Sequence, residues 1–213
     1  MAERIKVDPL DPDPAVIRRA AGILASGGLV VFPTLGLYGL GADAMNPKAV
    51  ERVFAAKGRP PEKPVLVLVR GIPDAQGLVS EVPDAALRLM RAFWPGRLTI
   101  ALPASEKVPE ILCAKTGTIG IRAAGHPVAR ALVAAFGGAV TGTSANIADA
   151  PAPASVDDLS PKIAEAADLI MDAGRLSGQA STVVSVNGSR VDVLRPGAVS
   201  GQRIGEALAS ADV

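Results

Sequence analysis

Short runs rich in valine, isoleucine and leucine alternate along the chain with segments that begin at a proline. Each run is too short for a helix and largely uncharged, so each predicts a buried strand. The strand runs are LVVF at 29–32, PVLVLV at 64–69, LTIAL at 98–102, TIGIR at 118–122 and LIM at 169–171. Prolines at 14, 47, 83 and 127 predict helix starts, because the missing proline N–H has no helical partner in the first turn.

Two further patterns complete the predicted elements. STVVSV and VDVL flank Asn187-Gly188, a pair typical of a tight hairpin turn. Ser155 with Asp158 resembles a capping box for a helix ending near Ala167, and a short helix is expected after Arg203. Alternating strands and helices with an added hairpin predict an α/β fold, an open twisted sheet of mixed parallel and antiparallel strands covered by helices.

The uncharged stretch at residues 20–42 is long enough to cross a bilayer. However, it contains six glycines and Pro33, and its pattern changes midway from helical spacing to a β-branched run. We therefore predict a helix, a strand and a loop there, and no membrane partner. The N-terminus lacks the apolar core of a signal peptide. No linker or repeat divides the 213 residues, so we expect a single domain over 1–213.

Cysteine and histidine content restricts the chemistry. Cys113 and His126 are the only residues of their types, which excludes an internal disulfide and clustered thiolate or imidazole metal sites. We expect a cytoplasmic protein, an inert Cys113, and a His126 that caps a helix or faces solvent. The net charge of +1 argues against a protein that coats nucleic acid through bulk charge.

Four loops combine glycine with small hydroxyl or basic residues, and such loops let a backbone approach a ligand closely. They are PTLGLYGLGAD, AKGRPPEKP at 56–64, TSAN at 143–146 and AGRLSGQAST at 173–182, with RPG at 195–197 beyond. Lys57, Arg59 and Lys63 crowd the second loop. This cluster indicates either an anion site or a solvated basic surface loop, and spacing alone leaves both open. The first loop matches neither the Walker nor the dinucleotide pattern.

Six ordered motifs resemble the Sua5/YciO/YrdC family. They are PTLGLYGLGADA, AKGRPPEKPVLVLV, FWPGRLTIAL, TIGIRAAGHPVARAL, TSANIADAPAP, and ASTVV followed by VLRPGAVS. They extend from about residue 14 to 200, and the resemblance implies a YrdC-like fold with a large basic cleft. The chain ends soon after RPGAVS, so we expect no C-terminal Sua5 domain.

The resemblance also implies roles for individual residues. The residues implied for catalysis are Lys57, Arg59 and Arg195. Those implied for nucleotide binding are Lys57, Arg59, Lys63, Thr118, Asn146 and Arg195. Those implied for amino-acid binding are Thr34, Tyr38, Arg122, Ser144 and Ser181, and no residue is assigned to a metal. The ring of Tyr38 could instead close the core beneath its loop.

The implied activity is that of a threonylcarbamoyl-AMP synthase, which makes L-threonine, bicarbonate and ATP into threonylcarbamoyl-AMP and pyrophosphate for modification of adenosine 37 in transfer RNA. Its implied partners are ATP as a substrate, Mg²⁺, transfer RNA or double-stranded RNA, and proteins of the same pathway. Catalysis would depend on positioning and cationic stabilisation. The alternative is a YciO-like paralogue that binds nucleotide or double-stranded RNA without threonine-specific activity.

Three positions depart from the family pattern near the implied amino-acid pocket. Leu35 replaces an acid, Gly36 replaces a threonine, and Leu68 replaces a histidine. The implied cations are all retained. The sequence therefore indicates nucleotide binding more directly than it indicates threonine, and another amine is the fallback substrate.

Overall fold

A computed structural model describes residues 2–60, 62–114 and 116–210. Pro61 of the predicted basic loop, and both ends of the domain predicted over 1–213, lie outside these residues. Two mixed sheets and eight α-helices make up the described part of the chain. The predicted α/β class is confirmed, and strands are numbered below in chain order.

The first sheet has five strands and contains the N-terminal part of the chain. In spatial order they are β1 (Glu3–Lys6), β9 (Leu169–Asp172), β2 (Val30–Pro33), β3 (Tyr38–Gly41) and β8 (Thr143–Ser144). β9 pairs in parallel with both β1 and β2, whereas β3 pairs antiparallel with β2 and β8. β2 and β9 are wholly buried, as expected for uncharged strand runs.

The second sheet has six strands. In spatial order they are β11 (Arg190–Arg195), β10 (Thr182–Asn187), β5 (Leu98–Pro103), β6 (Thr118–Ala123), β4 (Val67–Val69) and β7 (Val140–Thr141). β10 and β11 form the predicted hairpin, with Asn187 opposite Arg190. β10 runs parallel to β5 and β4 runs parallel to β6, whereas the other neighbours are antiparallel. Mixed pairing is therefore confirmed in both sheets.

The helices are α1 (Pro14–Ala25), α2 (Pro47–Lys57), α3 (Ile72–Gln76), α4 (Asp84–Phe93), α5 (Glu110–Cys113), α6 (Pro127–Phe136), α7 (Pro161–Ala166) and α8 (Gly201–Ala209). Four of the helices begin at or directly after the predicted prolines 14, 47, 83 and 127. The helix expected after Arg203 begins earlier, at Gly201, and the short helices α3 and α5 were not predicted.

Asp13, Asn46 and His126 each accept a hydrogen bond from an N–H of the first turn. His126 is thus a buried helix cap, one of its two predicted roles, and Cys113 is buried. No helix in the described segments is long and apolar enough to span a bilayer.

Two sequence predictions of local structure are wrong. The helix expected from Ser155 to Ala167 is a single 3₁₀ turn, Val156–Asp158, followed by the separate helix α7. Ser155 and Asp158 do form the capping box, but Ser160 caps a new start before Pro161. The glycine-rich stretch after Pro33, predicted as a loop, folds back into β3.

The chain passes directly from one sheet to the other at Gly142. β7 ends at Thr141 in the second sheet, β8 begins at Thr143 in the first, and Gly142 joins them. A Cβ atom at Gly142 would lie 2.6 Å from Cγ of Leu68, so glycine allows the close approach there. Residues of β3, β6 and β8 near this junction form part of the wall of a cavity.

Candidate functional site

A cavity of about 320 Å³ lies where the two sheets meet. Gly39 and Thr143 line it from the first sheet, whereas Thr99 and Thr118 line it from the second. This volume is at the lower end of the range for small-molecule sites. Small residues and hydroxyls make up much of its wall, so its main chain is accessible to a ligand.

Four arginines line the cavity: Arg59, Arg97, Arg122 and Arg195. They lie in different parts of the chain: Arg59 follows α2, Arg97 precedes β5, Arg122 lies within β6 and Arg195 ends β11. None of the described lining residues is an aspartate or a glutamate. Such a cavity attracts anions, because its cations have no acidic partner within the wall.

Arg122 is the most unusual of these cations. It is 8% exposed, and among the described residues no hydrogen bond or ion pair reaches its guanidinium. Burial, then repulsion from Arg195 and Arg97, lowers its pKa to about 10. A buried guanidinium without a protein partner is costly unless an anion completes its hydrogen bonds. Its planar fork suits a carboxylate or a phosphate.

Arg59 and Arg195 are held by neutral oxygens. Arg59 donates from Nε to the carbonyl of Lys63 at 2.9 Å and from Nη2 to that of Pro64 at 2.7 Å. Arg195 donates from Nη2 to the carbonyl of Ser181 at 2.9 Å and to its Oγ at 3.2 Å. Burial lowers the pKa of both groups. These contacts orient the guanidinium groups without neutralising their charge.

Lys57 does not line the cavity, although the resemblance implies that it contacts the nucleotide. It is 1% exposed, and its ammonium donates to the carbonyl of Ser144, to the carbonyl of Asn146 at 2.7 Å and to Asn146 Oδ1 at 3.0 Å. Burial, then repulsion from Arg59, lowers its pKa to about 8. In this arrangement Lys57 holds the main chain of residues 144–146, and its implied contact with the nucleotide stays a prediction.

Residues 144–146 form a bend whose carbonyl groups accept hydrogen bonds from the Lys57 ammonium. Ser144 Oγ donates to Asn146 Oδ1 at 2.6 Å, and Asn146 Nδ2 donates to the carbonyl of Ala150. Ser144 lines the cavity, whereas Asn146 is not among the lining residues. The side chain of Asn146 shapes the bend, and its implied nucleotide contact stays a prediction.

The two remaining nucleotide residues lie apart. Thr118 lines the cavity, and its Oγ1 is 2.9 Å from Oγ1 of Thr116. Lys63 is outside the lining, with Nζ 3.0 Å from Oδ1 of Asp149 in an ion pair whose lysine side chain is 47% exposed. The structure thus places Lys63 on the outer surface near the cavity.

The five predicted amino-acid residues all belong to the lining of the cavity. Thr34 and Ser181 line it, with Thr34 Oγ1 donating to the carbonyl of Leu37 at 2.6 Å. Tyr38 contributes main chain, but its ring is fully buried. Its hydroxyl donates to the carbonyl of Gly174 at 2.6 Å, and burial raises its pKa to about 12. The ring therefore closes the core, which is the alternative role considered for it.

The three departures from the family pattern have separate structural settings. Leu35 lines the cavity, and a Cβ at Gly125 would lie 2.4 Å from its Cδ1. Gly36 also lines it, and a Cβ there would lie 1.9 Å from the carbonyl oxygen of Gln179. Leu68 is buried in the core and does not line the cavity. Only Leu35 and Gly36 therefore shape the cavity directly.

Arg97 is the main site residue that sequence reasoning missed. It lies in the matching stretch FWPGRLTIAL, but no role was implied for it. Its Nη2 donates to the carbonyl of Leu35 and to Ser177 Oγ at 2.9 Å, and its Nη1 donates to Gln179 Oε1 at 3.3 Å. Arg97 is a charged residue directly before β5, a largely apolar strand, and this contrast is the signal that could have identified it.

The described residues do not form a magnesium site. They contain no group of three or more histidine, cysteine, aspartate or glutamate residues arranged to hold a metal. Magnesium in proteins is usually held by one or two carboxylates together with substrate phosphates. This cationic wall does not fit a protein-held Mg²⁺, and no chemical step is assigned to the metal.

Comparison with known sequences gives consistent matches. A family model described as Sua5_yciO_yrdC, Telomere recombination, matches residues 22–197. The threonylcarbamoyl-AMP synthase of Pyrococcus abyssi is 37% identical over 182 residues, which cover 85% of this chain and 54% of that protein. The synthase of Bacillus subtilis is 36% identical over 203 residues, 92% of this chain and 58% of that protein. A Mycobacterium tuberculosis protein provisionally given the same name is 40% identical over 190 residues, 89% of this chain and 87% of that protein.

Solved structures agree with the sequence matches. The crystal structure of Pyrococcus abyssi Sua5 complexed with L-threonine has a TM-score of 0.90 and 34% identity, covering 97% of this chain and 61% of that one. Escherichia coli YciO has a TM-score of 0.85 and 27% identity, covering 96% of this chain and all of that one. The chain thus spans little more than half of some relatives and almost all of others.

Proposed function

The chain belongs to the Sua5/YciO/YrdC family, and we propose that it is an ATP-dependent nucleotidyltransferase that forms threonylcarbamoyl-AMP from L-threonine, bicarbonate and ATP. Pyrophosphate is the second product. The names of the relatives and the threonine complex of a similar structure support this activity over the YciO-like alternative.

The observation that carries the proposal is the unpaired Arg122 in a cavity with three further arginines and no acid among its described lining residues. ATP and a free amino acid both bring anionic groups, and their carbamate intermediate adds another. A wall of this kind stabilises such ligands more than it would a neutral or cationic substrate.

The chemistry requires no nucleophile from the protein. The amine of threonine attacks the carbon of bicarbonate, and loss of water gives a carbamate. A carbamate oxygen then attacks the α-phosphorus of ATP, and the bond from that phosphorus to the bridging oxygen breaks to release pyrophosphate. Negative charge grows on the phosphate oxygens during this displacement, so fixed cations lower the barrier.

We assign the cations according to their geometry. Arg122 is deepest, and its fork is free to bind the α-carboxylate or the carbamate in a bidentate way. Arg59 and Arg195 are each oriented by carbonyls and stay positively charged toward the cavity, which suits the phosphates of ATP. Lys57 acts on the reaction through the 144–146 bend, which it supports.

We further propose that the product serves the modification of adenosine 37 in transfer RNA, in the cytoplasm and with other proteins of that pathway. Mg²⁺ would arrive with the phosphates of ATP. Direct binding of transfer RNA or double-stranded RNA is a separate property, and measurement of RNA affinity across salt concentrations tests it.

The test measures pyrophosphate release from ATP, bicarbonate and each of several amino acids. We expect pyrophosphate release to depend on threonine. In Arg195→Ala, kcat/KM should fall by an amount equivalent to about 2–4 kcal/mol of transition-state stabilisation. Arg190→Ala is the matched control, because Arg190 lies in the same strand but pairs with Asp192 on the exposed surface. If ATP binds and no amino acid raises pyrophosphate above background, the synthase proposal fails.

A further inference from the structure

The segment 175–180, here named the strap, crosses one end of the cavity. It forms neither helix nor strand, and its main chain lies directly against Gly36. The N–H of Gly178 donates to the carbonyl of Gly36 at 2.7 Å, while Gln179 and Ala180 line the cavity. The strap is therefore a wall of the cavity built from irregular chain.

Arg97 connects the strap to the opposite loop. One nitrogen, Nη2, donates both to the carbonyl of Leu35 and to Ser177 Oγ at 2.9 Å. The other, Nη1, reaches Gln179 Oε1 at 3.3 Å. The guanidinium thus bridges the two sides of this end of the cavity, and a single point charge could not reproduce its three directed contacts.

The two ends of the strap are anchored independently of Arg97. The N–H of Leu176 donates to the carbonyl of Ala154 at 2.8 Å, and the carbonyl of Ala180 accepts from the N–H of Ala198 at 3.0 Å. Between these anchors, Ser177, Gly178 and Gln179 are exposed and make few other contacts. Segments with exposed hydrogen bonds and few buried apolar contacts open at low free energy. The position of the exposed centre of the strap, residues 177–179, therefore depends on Arg97.

We propose that Arg97 is a positioning residue that holds the strap closed over the Thr34–Gly36 end of the cavity and thereby sets the affinity for the amino-acid substrate. This inference rests on the proposed function and on the implied role of Thr34, which lines that end, in binding the amino acid. The acceptors on Arg97 are neutral oxygens, so the bridge is stable without a ligand and leaves Arg122 to bind the anion.

The first test measures the strap itself and needs no catalysis. Hydrogen exchange of the Gly178 amide reports whether its bond to Gly36 is formed. We expect Arg97→Ala to accelerate this exchange on the order of tenfold, and Arg97→Lys to accelerate it nearly as much because lysine lacks the fork. Arg70→Ala is the control, since Arg70 pairs with Asp74 on the exposed surface. Unchanged exchange in Arg97→Ala would overturn the clamp.

The second test separates the clamp from a direct charge effect. Arg97→Ala should raise KM for threonine on the order of tenfold while KM for ATP and kcat stay within about twofold. Ser177→Ala keeps the cation and removes one contact, so it should raise KM for threonine in the same direction by a smaller factor. A rise in KM for ATP that Arg97→Lys restores would instead make Arg97 a phosphate ligand and refute the proposal.

The two tests fail in distinguishable ways. If the unaltered protein releases no pyrophosphate with any amino acid, the proposed function fails while the exchange measurement still decides whether Arg97 holds the strap. If the unaltered protein is active but threonine KM is the same in Arg97→Ala and Arg70→Ala, the proposed function stands and the role of Arg97 is wrong.

Discussion

Replacement of Arg122 by methionine should stabilise the free protein and weaken its ligand binding at the same time. Arg122 is buried, charged and unpaired within the described structure. Burial lowers its pKa from the usual arginine value to about 10, a fall of roughly two units. At about 1.4 kcal/mol for each pH unit, this fall corresponds to ~3 kcal/mol against the charged form. Methionine removes that cost while retaining an apolar chain in the same space.

The net gain should be smaller than the full electrostatic cost. Methionine is smaller than arginine and leaves part of the space unfilled, so we expect the free energy of unfolding to rise by about 1–2 kcal/mol. For a chain of this size, that gain raises Tm by roughly 2–8 °C. Loss of the charged fork should weaken binding of an anionic substrate by about 2–4 kcal/mol.

The pH dependence has a definite sign. The folded-state pKa of Arg122 is lowered, so the unfolded chain retains its proton to higher pH than the folded protein does. The destabilising charge is therefore fully present at every pH below about 10 and fades only above it. The stability gain of Arg122→Met should be constant between neutral pH and about 9.

Urea unfolding without ligand and calorimetric titration with ATP and threonine measure the two effects. Arg122→Lys keeps a charge and should bring no comparable gain in stability, and Arg190→Met serves as the exposed control. The reasoning is refuted if Arg122→Met destabilises the free protein and leaves substrate affinity unchanged.

Three further predictions concern other parts of the site. Activity should fall as pH rises through about 8, because a neutral Lys57 has two N–H donors for its three oxygen partners. The contribution of Lys57 to the free energy of unfolding should rise over the same range, up to about pH 10.5. The pH–rate profile and urea unfolding of the unaltered protein and of Lys57→Met measure the two effects. Gly36→Ala should displace the strap and lower the free energy of unfolding by about 1–3 kcal/mol, because the new Cβ would lie 1.9 Å from the carbonyl oxygen of Gln179. A urea midpoint equal to that of the unaltered protein would contradict this prediction. Lys63→Ala should leave ATP affinity within about twofold in calorimetry, because its exposed ion pair with Asp149 lies outside the lining; a tenfold loss would restore its implied nucleotide contact.

Most of the fold could be predicted because its signals are local. The proline-started helices and the turn at Asn187-Gly188 depend on residues that are adjacent in sequence, and the structure confirms them. β3 was missed for the opposite reason. Its glycines at 39 and 41 are typical of a loop, yet a Cβ at Gly41 would lie 2.6 Å from the ring of Phe32 in the neighbouring strand. That requirement comes from a strand pair and is invisible in the composition of the segment.

The site residues also fall into those with a local sequence signal and those that depend on distant parts of the chain. Arg59, Arg122 and Arg195 could be located through motifs, and all three line one cavity. The burial of Lys57 could not, because a lysine at a helix C-terminus ordinarily extends into solvent. Its oxygen partners lie 87 and 89 residues further along the chain, so only the folded structure brings them together. The same holds for Arg97, whose partners are 62 and 80 residues away.

The proposed synthase reaction can be followed through the carbon of bicarbonate. The protein is incubated with ATP, Mg²⁺, L-threonine and isotopically labelled bicarbonate, and the nucleotide products are analysed by mass spectrometry. We expect an adenylate with the mass of threonylcarbamoyl-AMP that carries the label, formed together with pyrophosphate and absent when threonine is omitted. Consumption of ATP with no labelled adenylate would contradict the proposed reaction.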